Sequence, residues 1–547
     1  MNKKYLNLIY LLFFIIVAIL QGFSESSGDL STYIPFLLHE NNNNLFKNDL
    51  LIQTISDHPV YIWKVLAPLL DFVSVKILFS FLWILMISFL AISLKMFYCQ
   101  IFESEKGWIY FLLPISTVST SAAMGMWGLN PYGYFHPGAL AFSFAIFSYV
   151  FALREKWMIS GFIVGFIFLF HPFTAIYSSL FFFVKLLLDF KGSENKSKLI
   201  AGTVILLLIS SPSWFPHFQH IFASQDYNFD YFVWKEFVYS RMKHSFFILL
   251  WVPERFIYLF LSLAGIFYFR KEEAFARVLP IIISVISALS IMILAELFDI
   301  KFLLQLQLAR NSFVIFILLC AFAAHRIQQI NKNNFKLIDL IWIFAIYFHI
   351  VSLGVSKSPE PYKLILLVLP FLSLFIIYFF RKSSNTHKIF LISSLVLICV
   401  TVGYRIDYTF AKNGNIIDNS LSENNPWREI QEWCRNNLSE NETIMTPIYI
   451  EGFRAFSHRS IFGSIKDGAP HNYSKRTFMT YWSRMKSLGI ELPLNSREIP
   501  DLYHEYAEKS ALENNIRYVI YDKNIKSPPV EALHSNERFA IFLLDSE

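Results

Sequence analysis

The chain has 547 residues, of which 55% are hydrophobic and only 16% charged; 59 are phenylalanine, and the formal charge is +6. A soluble domain carries about 25% charged residues, so the composition excludes an ordinary water-soluble enzyme and implies a polytopic membrane protein. The basic excess is of the kind that collects at cytoplasmic span ends and is no nucleic-acid footprint, and the four cysteines, Cys99, Cys320 and Cys399 among apolar residues, supply neither a disulfide scaffold nor zinc-type spacing.

The first twenty residues, MNKKYLNLIYLLFFIIVAIL, place two lysines before an apolar core. No small-x-small cleavage site follows, so this segment reads as an uncleaved first span with its N-terminus inside. Residues 22–70 then form an outer loop. Further apolar runs, each long enough to cross about 30 Å of hydrocarbon as helix, follow in alternation. The second covers about 73–97 and the third about 108–123, and the fourth returns inward to Arg154, Glu155 and Lys156. A short fifth and sixth lead out and back. The seventh ends outside and opens a second outer loop over 216–245. The remaining runs bring the total to about thirteen spans, and every inward connection carries Lys or Arg, as the positive-inside rule requires. The expected organisation is a mostly helical transmembrane domain over 1–404, with outer loops 22–70 and 216–245. Residues 405–547 follow it as a small extracytoplasmic α/β domain. In that last segment TIMTPIYI, IRYVIYD and RFAIFLL read as short strands, and PWREIQEWCRNN and PDLYHEYAEKSALENN as helices opening at Pro.

The tripeptide Phe-His-Pro occurs twice, at 135–137 and 170–172, both times at an outer end. Pro137 and Pro172 fall in the first turns of the fourth and sixth spans, where a missing N–H costs least. The repeat reads as an out-to-in re-entry signal. A sharper alternative has His136 and His171 lining an outer cavity and touching substrate.

Polar residues gather on the outer side, and in a membrane protein such clusters point to function. The first outer loop holds Asp29, Asp49 and Asp57. Asp29 follows the first span closely and precedes a semi-apolar stretch, GDLSTYIPF. Its carboxylate could act as a general base on an acceptor hydroxyl, hold a divalent cation, or simply be a solvated acid. The second outer loop carries Asp226 and Asp230, spaced to share a helix face, together with Arg241. Arg310 stands at the outer end of a span. Outward arginines suit phosphates, which they bind bidentately, although snorkelling or a carboxylate partner would also account for them. The segment EGFRAFSHRSIFGSIKDGAP packs Arg454, Arg459 and Lys466 into one short, aromatic-rich stretch, suited to binding a substrate or to internal ion pairs. There is no P-loop, nucleophile elbow, HExxH or dinucleotide fingerprint in the sequence.

An uncleaved first span, an outer loop with an acid just after it, a dozen further spans and a C-terminal outer α/β domain together resemble the GT-C superfamily. These are integral-membrane glycosyltransferases that use polyprenyl-phosphate-linked sugars, among them the oligosaccharyltransferase catalytic subunit and the protein mannosyltransferases. The tail, from WREIQEWCRNNLSENETIMTPIYIEGFR to NNIRYVIYDK, also resembles the soluble part of uncharacterised bacterial members. The resemblance implies transfer of a sugar from a polyprenyl-phosphate donor to a glycan, lipid or protein acceptor on the outer face of a bacterial inner membrane. It implies Asp29 as base or metal ligand, and Arg310 or Arg241 on the lipid phosphate. The family's Asp-x-Asp-like pair is absent, since the sequence reads Gly28-Asp29-Leu30-Ser31, so a role for a divalent cation (Mg or Mn) stays open. A secondary transporter would place charges at mid-span and show related halves, and a non-catalytic binder of lipid-linked saccharide would keep the fold without the base.

Overall fold

A computed structural model describes residues 28–57, 60–104, 134–190, 195–222, 229–251, 253–329, 425–527 and 531–544, with a few single residues and pairs besides. The expected first, third, eleventh, twelfth and thirteenth spans fall wholly or mostly outside these residues, as does Asp226. The described chain is mostly helical and folds as two compact units. A helical unit takes its described residues from within 82–211 and 244–416, and a mixed unit from within 24–81, 212–243 and 417–547.

In the helical unit and its leading helix, length and composition make five helices sufficient to cross a membrane. These are Val75–Phe102, Pro172–Phe190, Lys196–Phe215, Glu273–Leu297 and Leu308–Gln328. Shorter apolar helices, Pro137–Leu153, Trp157–Phe168 and Leu259–Tyr268, coincide with three more of the expected spans. A helix suits such sequence because it satisfies every backbone N–H and C=O internally, which hydrocarbon demands. Leu308–Gln328 is almost wholly buried by its neighbours, whereas Lys196–Phe215 leaves most of its residues uncovered, including Ile200 and Leu208. That much exposed aliphatic surface is stable in lipid and not in water. The chain is built as an integral membrane protein.

Small residues and aromatic rings set the close packing. A Cβ on Gly161 would lie 2.0 Å from the carbonyl oxygen of Gly202, so the helices Trp157–Phe168 and Lys196–Phe222 touch backbone to backbone. Ser148 and Ser160 join their hydroxyls at 2.9 Å across the neighbouring pair of helices. Many of the phenylalanines pack ring against ring, as Phe144 does with Phe147, Phe166 and Phe170.

In the mixed unit the segment expected as the first outer loop is largely helical, with Leu30–Asn41, Leu50–Gln53 and Tyr61–Leu66. The segment 216–245 is also helical over much of its described length. The helix Lys196–Phe222 runs into it, and Tyr231–Phe246 forms a second helix, broken at Met242. The C-terminal segment contributes a five-stranded mixed sheet, β1 (Thr443–Met445), β2 (Ser460–Ile461), β3 (Tyr518–Asp522), β4 (His534–Ser535) and β5 (Phe539–Leu543), in the order β2-β1-β3-β5-β4. β1 pairs in parallel with β2 and β3, and β5 runs antiparallel to β3 and β4. β1 is short because Pro447 follows and cannot donate to a ladder. Ile430, Cys434, Ile444, Phe453, Ile520 and Ile541 form a continuous buried core between this sheet and the helix Pro426–Asn437. That helix opens at Pro, as expected, and Asn425 caps it through the N–H of Trp427 at 2.8 Å.

Candidate functional site

Asp29 precedes the helix Leu30–Asn41 after Gly28, whose φ of 63° turns the chain. Its carbonyl accepts the N–H groups of Thr32 and Tyr33, but its carboxylate makes no capping bond. The carboxylate instead accepts from Lys466 Nζ at 2.7 Å, with the two side chains 17% and 14% exposed. Two of the sequence-predicted site residues therefore meet. Arg241, a third, stands beside them. Its Nη2 approaches the carbonyl of Lys466 at 3.5 Å, while its Nη1 is buried with no hydrogen-bond partner among the described residues. A buried guanidinium nitrogen left unpaired costs free energy that an anion's oxygen would recover.

Glu451 completes the group and had no local signal in the sequence. Partial burial raises its carboxyl above the usual range, Lys466 and Arg241 oppose that, and Asp29 and Asp467 add to it. Glu451 is nonetheless an exposed residue, so water weakens the effect of burial. The arrangement offers one carboxylate paired with an ammonium, a second carboxyl whose pKa is raised, and a guanidinium.

Beneath these groups lies a buried ion triad. Arg454 donates Nε and Nη2 to Asp49 at 2.6 and 2.9 Å, and Nη1 and Nη2 to Asp467 at 3.0 and 2.8 Å. Asp49 also accepts from Leu51 N, capping the helix Leu50–Gln53, and from Ile461 N on β2. Asp467 accepts from Ser464 N. Burial alone would raise the Asp467 carboxyl, but the charge and hydrogen bonds of Arg454 outweigh it and hold the group below its ordinary value. Asp49 and Arg454 thus spend their hydrogen bonds inside the protein, where they fix the turn that carries Lys466. Arg459 is likewise engaged, donating to the carbonyls of Arg435 and Leu438 at 2.7 and 2.6 Å. Asp57 accepts from the Ser474 hydroxyl and stands 3.7 Å from Arg476. Asp230 lies ahead of the helix Tyr231–Phe246, not on its face, and caps it through the N–H groups of Phe232 and Val233.

The helical unit holds the histidines. Both Phe-His-Pro stretches open helices at Pro, at Pro137–Leu153 and Pro172–Phe190, so the predicted re-entry positions are helix starts. His136 Nδ1 accepts from Gly138 N at 2.9 Å, and His171 Nδ1 meets the Thr174 hydroxyl at 2.8 Å. The two rings lie 5.9 Å apart, centroid to centroid. Only glycine fits between them, since a Cβ at 138 would come within 2.8 Å of both imidazoles. A narrow, mainly apolar cleft runs past His171, Thr174, Tyr177, Phe142, Phe313 and Arg310. Tyr177, missed in the sequence, donates to the carbonyl of Gln307, a residue in the left-handed region at φ 50°. Arg310 donates to Ser245 Oγ at 2.7 Å.

A divalent cation at Asp29 does not suit the donors present. The Lys466 ammonium already occupies the carboxylate, and among the described residues no group of three or more His, Cys, Asp or Glu could hold an ion.

The chain is similar over 99% of its length to ArnT from Cupriavidus metallidurans bound to undecaprenyl phosphate, with a TM-score of 0.53, 10% sequence identity and 98% of that chain covered. The apo structure of ArnT from the same organism aligns over 99% of this chain and 98% of its own at a TM-score of 0.45 and 11% identity. At such identity the likeness to the lipid-bound structure establishes the fold alone, an ArnT-like one. A family model described as a domain of unknown function (DUF6798) matches residues 425–488. No curated protein matches the chain.

Proposed function

We propose that this protein is a membrane glycosyltransferase that moves a sugar from a polyprenyl-phosphate donor to an acceptor on the outer face of the membrane. The observation that carries the reading is the Asp29–Lys466 pair, seated beside Arg241 and Glu451 in a chain with an ArnT-like fold. In this mechanism the acceptor hydroxyl attacks the sugar's C1 while Asp29 takes its proton. A new C1–O bond forms as the bond from C1 to the phosphate oxygen breaks, its electron pair leaving with the polyprenyl phosphate. Lys466 fixes the base in position, and the unpaired Arg241 Nη1 suits the phosphate oxygen on which charge develops. Within the helical unit, the narrow cleft lined by His171 and Arg310, with His136 beside His171, is proposed as a further contact for the polyprenyl donor.

The test is transfer from a radiolabelled polyprenyl-phosphate sugar by the full chain in nanodiscs. Asp29→Asn should lower transfer by about 10²–10⁴-fold, the usual contribution of a general base, with the melting temperature unchanged. Transfer at the wild-type rate by both Asp29→Asn and Lys466→Gln would refute the assignment.

A further inference from the structure

A second cavity lies in the mixed unit, apart from the residues assigned to transfer. It offers about 500 Å³, within the about 300–1,000 Å³ typical of small-molecule sites. Its walls come from the segment expected as the first outer loop, with His39, Gln53, Ser56, Tyr61 and Lys64, and from Arg476 of the C-terminal segment.

The chemistry of these walls is specific. Arg476 Nη2 donates to Gln53 O at 2.6 Å and to Ser56 Oγ at 2.7 Å, which fixes the guanidinium at the cavity wall. Its Nη1 and Nε make no hydrogen bond to a described residue, and Asp57, at 3.7 Å, offsets its charge only in part. Lys64 is exposed and stands 5.8 Å from the centre of the Tyr61 ring, so a second cation lines the same space. The Nδ1 of His39 lies 2.7 Å from the carbonyl of Leu45. A carbonyl only accepts, so that nitrogen carries a proton and Nε2 is the ring's remaining polar atom. Two cations, an aromatic face, a hydroxyl and an imidazole together match a hydroxyl-rich body bearing a negative charge. Among the described residues no carboxylate lines the cavity.

We propose that this cavity binds a sugar headgroup carrying phosphate or carboxylate, with the anion between Arg476 and Lys64, the ring against Tyr61 and a hydroxyl on His39. Identifying that ligand as the acceptor rests on the transferase reading, whereas the binding does not. The ligand's source is either a water-soluble sugar phosphate or the headgroup of a lipid.

The experiment is calorimetric titration of the full chain in neutral-lipid nanodiscs with glucose 1-phosphate and with glucose. A second arm measures association with phosphatidylglycerol vesicles against phosphatidylcholine vesicles. Glucose 1-phosphate should bind at least about tenfold more tightly than glucose, because hydrogen bonds to charged groups dominate the site. Saturable binding seen only with phosphatidylglycerol would support the lipid source. Arg476→Gln should weaken the active ligand about tenfold or more, and Lys64→Gln about threefold, as suits an exposed charge. Arg476 also ties down the 53–57 turn, so Lys64→Gln, which disturbs no packing, keeps the test decisive if the first variant is unstable. Lys509→Gln, a remote exposed lysine, should bind as wild type. Equal binding of glucose and glucose 1-phosphate with no vesicle preference would overturn the proposal, as would unchanged affinity in Lys64→Gln. Binding is read without turnover, so a protein that lacks transferase activity still gives an answer.

Discussion

Arg454→Leu is expected to unfold the mixed unit far more readily than any surface change. The guanidinium makes four hydrogen bonds of 2.6–3.0 Å to Asp49 and Asp467, and all three side chains are nearly inaccessible, at 4% exposure or less. Removing the cation strands two buried carboxylates beside each other. Breaking a buried pair costs about 3–5 kcal/mol, because the charge left behind has no compensation. For a unit of this size 1 kcal/mol moves the midpoint by about 2–4 °C, so the melting temperature should fall by on the order of 10 °C. Tryptophan fluorescence during heating in nanodiscs reports this, since Trp427, Trp433 and Trp482 all lie in the unit. A control sharpens the reasoning: Asp49→Asn, Arg454→Met and Asp467→Asn combined should be less damaging than Arg454→Leu alone, because no lone charge remains. A shift under about 2 °C in Arg454→Leu, or a triple variant worse than the single one, would refute the electrostatic account.

Acid should destabilise the same unit early. Burial holds His471 at about 3, and burial with nearby arginines holds His458 at about 4, against an ordinary value of 6.5. These rings are neutral when folded and take up protons when unfolded, so the unfolded chain binds more protons below pH 6.5 and stability falls from there toward pH 4. A melting temperature flat between pH 7.5 and 5 would contradict this, and His471→Gln should lessen the slope. In the helical unit, Gly161→Val should cost several kcal/mol, since a side chain cannot occupy the 2.0 Å left before the Gly202 carbonyl, and thermal melts of purified protein measure it. Gly138→Ala should force the two imidazoles apart and cost about 1–3 kcal/mol, with weaker retention of a polyprenyl phosphate as the second readout.

Local signals carried much of this structure. Proline at the first helical turn marked the starts at Pro137, Pro172 and Pro426, and apolar β-rich runs marked β3 and β5. β2 and β4 are two residues long and owe their pairing to neighbours, so no pattern within them could announce a strand. Among the site residues Asp29 and Lys466 were each conspicuous, but nothing local joins one to the other. Glu451 stood in an unremarkable YIEGF, and its raised carboxyl comes first from burial, with Lys466 and Arg241 opposing and Asp29 adding to it, an environment that only the fold assembles. The charge density around Arg454 and Arg459 turned out to be internal wiring, a distinction that depends on burial and on partners 405 residues away for Arg454 and 24 for Arg459.

The contact between Asp49 and Arg454 spans 405 residues of chain, and that separation constrains how the protein is made. At about 5–20 residues per second, the ribosome adds Arg454 roughly 20–80 s after Asp49. Throughout that interval the carboxylate lacks the cation that later makes its burial tolerable. The segment around Asp49 therefore cannot mature as it emerges. It must wait, open and open to proteolysis, until the last quarter of the chain arrives. A nascent chain halted short of that point should be recognisable as an unfinished one by the protease sensitivity of residues 28–66.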